Sequence, residues 1–242
     1  MSNLIQEVSS LKKADGQIIA DSYKVIKKIV QHSNFRPLKF FYDSKVEHAK
    51  DLIPFFEESF SLTSDEFKHI PGANYHKGLI GVFQTCELEC DELIPPFVLL
   101  NGVTSPENVG SIVRTISGLG FKTIVVDDKS ASPYLRRSIR VSMGNIVFLN
   151  VLRVKDSEEF LKTCPYPVYA TANNENSIDL REWLPEEKSG FVIGSEGHGI
   201  DPHLYKHCKN TVRIPVLDEV EHLNAGHSCA IIASRYLFNS SK

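Results

Sequence analysis

A glycine-rich loop near the C-terminal end constrains the fold more than any other feature of this sequence. The apolar run 191–193 is followed directly by the loop 194–199, which reads Gly-Ser-Glu-Gly-His-Gly. A second apolar run, 212–216, and a mostly apolar helix follow. Two strand ends so close in the sequence can present backbone N–H and C=O groups side by side. This pattern favours a small-molecule pocket at the carboxyl ends of parallel strands.

From residue 97 onward, short apolar segments alternate with helical ones. Strands are predicted at 97–101, 123–128, 146–151, 167–171, 190–194 and 211–216. Short apolar strands that alternate with helices predict an α/β fold, in which a parallel sheet carries helices on both faces. We expect this domain to span residues 97–242.

The first part of the chain, residues 1–85, is predicted to form a separate small α/β domain. Its expected elements are a loose arm or short helix over 1–20, a helix from Asp21, a strand at 38–42, a helix over 45–59 that bends near Pro54, a short helix opened by a Thr63–Glu66 capping box, and a strand at 77–83. The acidic segment 86–96 ends in two prolines and is predicted to be a linker.

Composition sets limits on location and partners. No apolar run is long enough to span a bilayer, and the N-terminal segment is polar, so we expect a cytoplasmic protein without membrane contact. The net charge of −3 argues mildly against binding of nucleic acid. Basic residues do cluster, at 12–13, at 24–28 and at 136–140, and a local basic patch is sufficient.

The five cysteines are expected to be reduced thiols, because their number is odd and their spacing is irregular. Cys86 and Cys90 have no second Cys/His pair at the spacing of a zinc site. We therefore predict no metal centre.

The segment 105–107, Ser-Pro-Glu, has the composition of a helix start. On the helix that follows, Asn108, Ser111 and Thr115 recur at helical spacing, and Arg114 flanks them. An asparagine and an arginine near the mouth of a parallel sheet suit a ribose hydroxyl and a phosphate. An ordinary polar helix face is the alternative interpretation.

Three segments together resemble the motifs of the SpoU (TrmH) family of SPOUT RNA methyltransferases. They are Asn-x-Gly-x-x-x-Arg-Thr at 108–115, Gly-Ser-Glu-Gly-x-Gly at 194–199, and Ile-Pro-Val at 214–216 followed by Leu-Asn at 223–224. The resemblance implies a C-terminal trefoil knot and transfer of a methyl group from S-adenosylmethionine (SAM) to a ribose 2′-hydroxyl of RNA. The segment 76–83 is similar to the end of an L30-like substrate-binding domain found in many members.

The resemblance also implies roles for individual residues. The catalytic residues implied are Arg114, Asn108, Glu196 and Asn224, and those implied for SAM are Thr171, Ala172, Gly194, Ile214 and Leu223. In the family this arginine has been assigned as the base. Since a guanidinium keeps its charge at neutral pH, we expect Arg114 to bind a phosphate instead. The family further implies a homodimer, in which the arginine of one subunit completes the site of the other.

The third motif departs from the family pattern, because His222 stands where a serine is usual. Two interpretations follow: either His222 assists removal of a proton, or it only packs in the loop. The departure also keeps open a catalytically decayed SPOUT protein that binds RNA or assists ribosome assembly. A dinucleotide-dependent enzyme is disfavoured, because residues 102–107 lack the glycine fingerprint. As substrate we favour ribosomal RNA, with transfer RNA as the alternative.

Overall fold

The computed structural model of the chain describes residues 16–33, 35–70, 77–84, 92–174, 176–217, 219 and 223–239. The chain divides into two compact units. The first unit comprises residues 1–88 and 134–147, and the second comprises residues 89–133 and 148–242. The segment 134–147, expected within the second domain, thus groups with the first unit. The predicted role of the first unit as an L30-like RNA-binding domain stays a prediction.

Both units contain β-strands and α-helices. The strands are β1 (Gln17–Asp21), β2 (Arg36–Asp43), β3 (Glu58–Leu62), β4 (Leu79–Gln84), β5 (Phe97–Asn101), β6 (Thr123–Asp127), β7 (Asn150–Val154), β8 (Val168–Thr171), β9 (Ile178–Asp179), β10 (Gly190–Gly194) and β11 (Asn210–Arg213). The α-helices are α1 (Tyr23–His32), α2 (Ser64–Lys68), α3 (Pro106–Gly118), α4 (Arg136–Val141), α5 (Ser157–Thr163) and α6 (Ala225–Asn239). Short 3₁₀ helices occupy Glu47–Asp51, Ile53–Phe55, Asn145–Phe148 and Pro202–His207.

The first unit is built on a four-stranded sheet in the order β1-β4-β2-β3. Strand β4 runs antiparallel to β1 and to β2, whereas β2 and β3 are parallel. Helix α1 buries one apolar stripe, formed by Val25, Ile26 and Ile29, as its period predicts. The capping box predicted for α2 is confirmed, since Thr63 and Glu66 bond each other's backbone N–H.

Two predictions in the first unit are wrong. The residues Gln17–Asp21 form a strand, not an arm or helix, because their backbone pairs with β4 and four of the five residues are buried. The helix expected over 45–59 is instead two 3₁₀ turns and the start of β3. Pro54 lies in the second turn, where it denies the chain a backbone donor, and the residues after it pair with β2.

A buried ion pair ties α4 to β1 within the first unit. Arg136 donates to the Asp21 carboxylate from Nε at 2.9 Å and from Nη2 at 2.7 Å. The Asp21 side chain is only 1% exposed, and Arg140 lies 3.9 Å from it. The guanidinium of Arg136, one of the arginines considered for RNA, is therefore engaged by an internal carboxylate.

The second unit confirms the predicted fold class. Its seven-stranded sheet has the order β7-β6-β5-β10-β8-β11-β9, and every recorded pairing in it is parallel. Helices flank the sheet, and α3 packs against α6. The core is formed by apolar side chains of neighbouring strands, among them Phe97, Leu99, Val125, Ala170 and Val192. The trefoil knot stays a prediction.

One predicted strand of this sheet is misplaced. The apolar residues near 146–149 form a 3₁₀ turn, and the strand is β7, at Asn150–Val154. Because β7 lies at the edge of the sheet, only Val151 of its five residues is fully buried, and the strand carries a weaker apolar signal than the turn before it. The described part of the chain contains no helix long and apolar enough to cross a membrane.

Candidate functional site

A pocket opens at the carboxyl ends of three strands of the second unit. Thr171 ends β8, Gly194 ends β10, and Ile214 follows β11 directly. The pocket is lined by Thr171, Ala172, Asn173, Ile193, Gly194, Ser195, Glu196, Gly199, Val212, Ile214, Val216, Leu223, Ala225 and Ser228. All five residues predicted to hold a cofactor are in this set. Its empty space is about 750 Å³, part of which is open to solvent.

The glycine loop folds back on itself beside the pocket. Ser195 and Gly199 form an antiparallel bridge, with N···O distances of 3.0 and 2.9 Å. A Cβ atom at Gly194 would lie 2.2 Å from the carbonyl carbon of Gly199 and 2.4 Å from the Ile200 nitrogen. Only glycine therefore fits at position 194 in this loop conformation.

Three of the four predicted catalytic residues meet at the N-terminal end of α6. Asn224 donates from Nδ2 to Asn108 Oδ1 at 2.9 Å, and a longer contact of 3.5 Å reaches Glu196 Oε1. Its Oδ1 accepts from the backbone N–H of Gly226 at 2.9 Å, as expected of a helix N-cap. Asn224 thus caps α6 and joins α3 to the glycine loop.

Helix α3 presents Asn108 and Arg114 differently. Ser105 caps the helix by accepting from the Asn108 N–H at 3.3 Å, as predicted from the sequence. Asn108 is 7% exposed, whereas Arg114 is exposed. Within the described residues, the Arg114 side chain makes no hydrogen bond or ion pair. The structure therefore brings Asn108, Glu196 and Asn224 together and leaves the Arg114 guanidinium available to an outside anion.

Several residues of this region were not predicted from the sequence. Ser195 and Ser228 line the pocket with hydroxyl groups. Asn101 and Asp127 end β5 and β6, and their side chains are hydrogen-bonded. The signal for this pair was present, because each is a polar residue that directly closes an apolar strand, at the edge of the sheet where sites form.

Several predictions fall outside the described residues: the arm before residue 16 with the basic pair at 12–13, residues 86–91 of the linker with Cys86 and Cys90, and His222. Within the described ranges, no group of three or more His, Cys, Asp or Glu side chains is placed to hold a metal ion. Burial raises the pKa of the Cys208 thiol to about 11, so this cysteine is a poor nucleophile at neutral pH.

The pocket lining suits a ligand with one flat apolar part and one polar part. Ile193, Val212, Ile214 and Leu223 supply apolar walls, while hydroxyls and Glu196 supply a polar side. The strand ends bring main chain to the pocket, and glycine allows its close approach. An adenine ring with a polar amino-acid tail, as in SAM, has this division.

Comparison with known proteins decides the family. The model of the SpoU rRNA Methylase family matches residues 95–234, which is more than half of the 242 residues. This chain belongs to the SpoU rRNA methylase family. The match contains the pocket and the Asn108–Asn224 contact, so the site described above lies within the region that matches the family.

Individual relatives of this SpoU chain extend the comparison. An uncharacterized tRNA/rRNA methyltransferase of Synechocystis is 29% identical over 144 residues, which are 57% of this chain and 36% of that protein. A 23S rRNA guanosine 2′-O-methyltransferase of Bacillus subtilis is 26% identical over 137 residues, 56% of this chain and 55% of that one. The matched region thus spans about a third of the Synechocystis protein and about half of the Bacillus subtilis protein.

The fold agrees with a solved SpoU structure over the whole chain. The SpoU methyltransferase AviRb of Streptomyces viridochromogenes, solved in complex with AdoMet, has a TM-score of 0.86. It is 20% identical in sequence, and the match covers 99% of this chain and 98% of that one. At this identity the likeness establishes the fold of both units.

Proposed function

We propose that this SpoU protein transfers a methyl group from SAM to a ribose 2′-hydroxyl of structured RNA. The observation that carries the proposal is the contact of Asn224 with Asn108 at 2.9 Å, beside a pocket lined by all five residues expected to hold SAM. The Bacillus subtilis relative, a 2′-O-methyltransferase of 23S rRNA, supports both the acceptor atom and ribosomal RNA as the substrate, with transfer RNA as the alternative.

SAM would be held by Thr171, Ala172, Gly194, Ile214 and Leu223. When bound, SAM supplies a methyl group on a positively charged sulfur, which is open to attack by an oxygen nucleophile. The apolar side chains of Ile214 and Leu223 exclude water from one part of the pocket, and the main chain at Gly194 can approach the ligand closely.

The residues around Asn108 would prepare the attacking hydroxyl. A ribose hydroxyl is a weak nucleophile until its proton is lost or hydrogen-bonded away. Arg114, which stays positively charged, would bind the neighbouring phosphate and lower the pKa of the hydroxyl. Asn224 and Glu196 would fix the orientation of Asn108, so that oxygen, methyl and sulfur lie in line.

Three candidates can accept the proton: a water molecule, a phosphate oxygen, or a side chain such as His222. Imidazole titrates near neutral pH and suits the role. If His222 acts in this way, a His222→Ser variant will show a lower rate and a shifted pH profile. A variant with the wild-type rate and profile would assign His222 a packing role only.

A homodimer would complete the site. Arg114 is exposed, and in the described part of the chain no hydrogen bond or ion pair joins its side chain to Asn108, Glu196 or Asn224. We propose that this arginine serves the site of a second subunit. The first unit would hold the RNA, since Lys24 and Lys27 are exposed on α1, and the protein would act in the cytoplasm.

The proposal is tested by two measurements on the full chain. Calorimetric titration with SAM is expected to give micromolar binding. Tritiated SAM with unmodified ribosomal and transfer RNA transcripts is expected to label ribosomal RNA, at a ribose 2′-oxygen. Label on a base, or on neither RNA, would contradict the proposed reaction.

A catalytically decayed protein is the second candidate, favoured by the altered third motif, His222-Leu223-Asn224-Ala225-Gly226. The retained contact of Asn108 with Asn224 argues against it. Absence of SAM binding together with retained RNA binding would establish this second candidate.

A further inference from the structure

A buried polar network closes the carboxyl ends of β5 and β6 outside the pocket. The Asn101 side chain is 3% exposed and that of Asp127 is 4% exposed. Asn101 donates from Nδ2 to Asp127 Oδ2 at 3.1 Å. The Asp127 carboxylate also accepts from the backbone N–H of Gly102 and of Ser130, at 3.1 and 2.8 Å. Asp127 therefore holds Asn101 in one orientation.

The Asn101 side-chain amide also forms hydrogen bonds beyond the far end of the glycine loop, with Asp201. Asn101 Oδ1 accepts from the backbone N–H of Asp201 at 2.8 Å, and its Nδ2 donates to Asp201 Oδ2 at 3.2 Å. Lys129 donates to the same carboxylate oxygen at 2.8 Å. Asp201 follows the segment 195–200, which contains Glu196 and the glycine loop up to Gly199, so these bonds anchor the far end of that segment.

The near end of the loop meets Asn101 as well. Gly194 is the register partner of Asn101 in the parallel pairing of β10 with β5. The Ser195–Gly199 bridge closes the loop between its two fixed ends. One residue thus contacts both ends of the loop that forms a wall of the pocket and reaches Asn224 through Glu196.

We propose that Asn101 is a positioning residue, which fixes the 195–200 loop so that its residues shape the pocket and Glu196 reaches Asn224. The inference rests on the proposed function for its effect on SAM, but its effect on the loop can be measured independently. Asn101 acts through the loop, since it is absent from the pocket lining.

The experiment compares Asn101→Ala with a matched control, Thr123→Val. Thr123 is fully buried and exchanges hydrogen bonds with the backbone of Ile94 at 2.9 and 3.0 Å, at the other end of β6. Both variants lose buried hydrogen bonds, but only Asn101→Ala loses hydrogen bonds to Asp201, at the end of the loop. The readouts are thermal unfolding, hydrogen exchange of peptides spanning 195–201, and calorimetric titration with SAM.

For Asn101→Ala we expect loop exchange to rise, and the Kd of SAM to rise, each by about tenfold, the equivalent of one or two lost buried hydrogen bonds. Thr123→Val should lower the Tm without changing either loop exchange or Kd.

Loop exchange at the wild-type rate in Asn101→Ala, or an equal rise in both single variants, would overturn the inference. If loop exchange rises only in Asn101→Ala while the wild-type protein binds no SAM, the positioning role stands and the proposed function fails. Should Asn101→Ala not fold, Asp201→Ala removes the half-buried carboxylate that accepts from Asn101 and Lys129 but keeps the backbone N–H bond to Asn101. We then expect loop exchange to rise by less than in the absence of both bonds, and an unchanged loop exchange would also overturn the inference.

Discussion

Asn108 and Asn224, 116 residues apart in the chain, are joined by a side-chain hydrogen bond of 2.9 Å. Asn224 uses its Nδ2 for this bond and its Oδ1 to cap α6, where it accepts from the Gly226 N–H. The two ends of one amide therefore serve two different purposes. A substitution that alters only the nitrogen end can therefore separate the effect on the site from the effect on helix stability.

Asn224→Asp keeps the capping oxygen, loses the donor to Asn108 and to Glu196, and places a second carboxylate beside the exposed Glu196. Because Asn and Asp cap helices equally well, we expect the free energy of unfolding to stay within about 0.5 kcal/mol of wild type. Methyl transfer should fall by about a hundredfold, as when an orienting donor is lost from an active site. Asn224→Ala should lose activity and also about 1 kcal/mol of stability. A wild-type rate in Asn224→Asp, measured beside its thermal unfolding, would show that the bond to Asn108 has no catalytic role.

Gly194→Ala should damage the pocket, because the added Cβ would lie 2.2 Å from the Gly199 carbonyl carbon. Relief of this overlap requires the loop to move, at a cost of about 1–3 kcal/mol, and we expect the Kd of SAM to rise at least about tenfold. Gly197→Ala is the matched control, since a Cβ there would meet no atom within 4 Å. Calorimetry with SAM compares the two, and equal affinities would contradict the placement of the loop.

Arg114→Ala should separate catalysis from cofactor binding. Arg114 is exposed and does not line the pocket, so we expect no change in Tm or in the Kd of SAM. The transfer rate should fall by two or more orders of magnitude, since a phosphate and a developing charge lose their cation. Arg153→Ala, at another exposed arginine on β7, should keep the wild-type rate. Equal losses in both variants would indicate general electrostatic attraction of RNA.

Acid stability should depend on Glu158. A hydrogen bond from His207, followed by those from Lys206 and Lys162, lowers the pKa of this carboxyl from 4.5 to about 2. Because the folded-state pKa lies below the unfolded one, the stabilisation is complete above about pH 4.5 and is lost as the pH falls towards 2.

The check is thermal unfolding of wild type and Glu158→Gln between pH 2 and 7. We expect the variant to have the lower Tm above about pH 4.5, and the difference to vanish near pH 2. Glu159→Gln makes the same charge change one residue further along α5 and should follow the wild-type profile. A difference in Tm that is independent of pH would assign the effect to packing.

Local sequence patterns predicted the elements whose signals are complete within a few residues. The strands 97–101 and 190–194 were predicted with their observed bounds, because strands in the interior of a parallel sheet are apolar throughout. The edge strand β7 and the two-residue β9 were misplaced or missed. Their stability comes from neighbours in the sheet, which no local window contains.

The residues of the site likewise fall into those predicted from the sequence and those that only the tertiary structure revealed. The resemblance to the SpoU motifs singled out Asn108, Glu196, Asn224 and the pocket residues, and the structure brings these residues to one region. They did not reveal that Asn101 and Asp201, 100 residues apart, bond each other.

The sequence by itself therefore determined the fold class, the glycine loop and the residue types available for chemistry. Tertiary structure alone decided which amide faces which carboxylate, that Arg136 belongs to a buried ion pair with Asp21, and that Arg114 faces outward. The physical reason is that hydrogen bonds and ion pairs between distant residues depend on the packing of whole elements. Periodicity and capping, by contrast, are fixed within a single helix or strand.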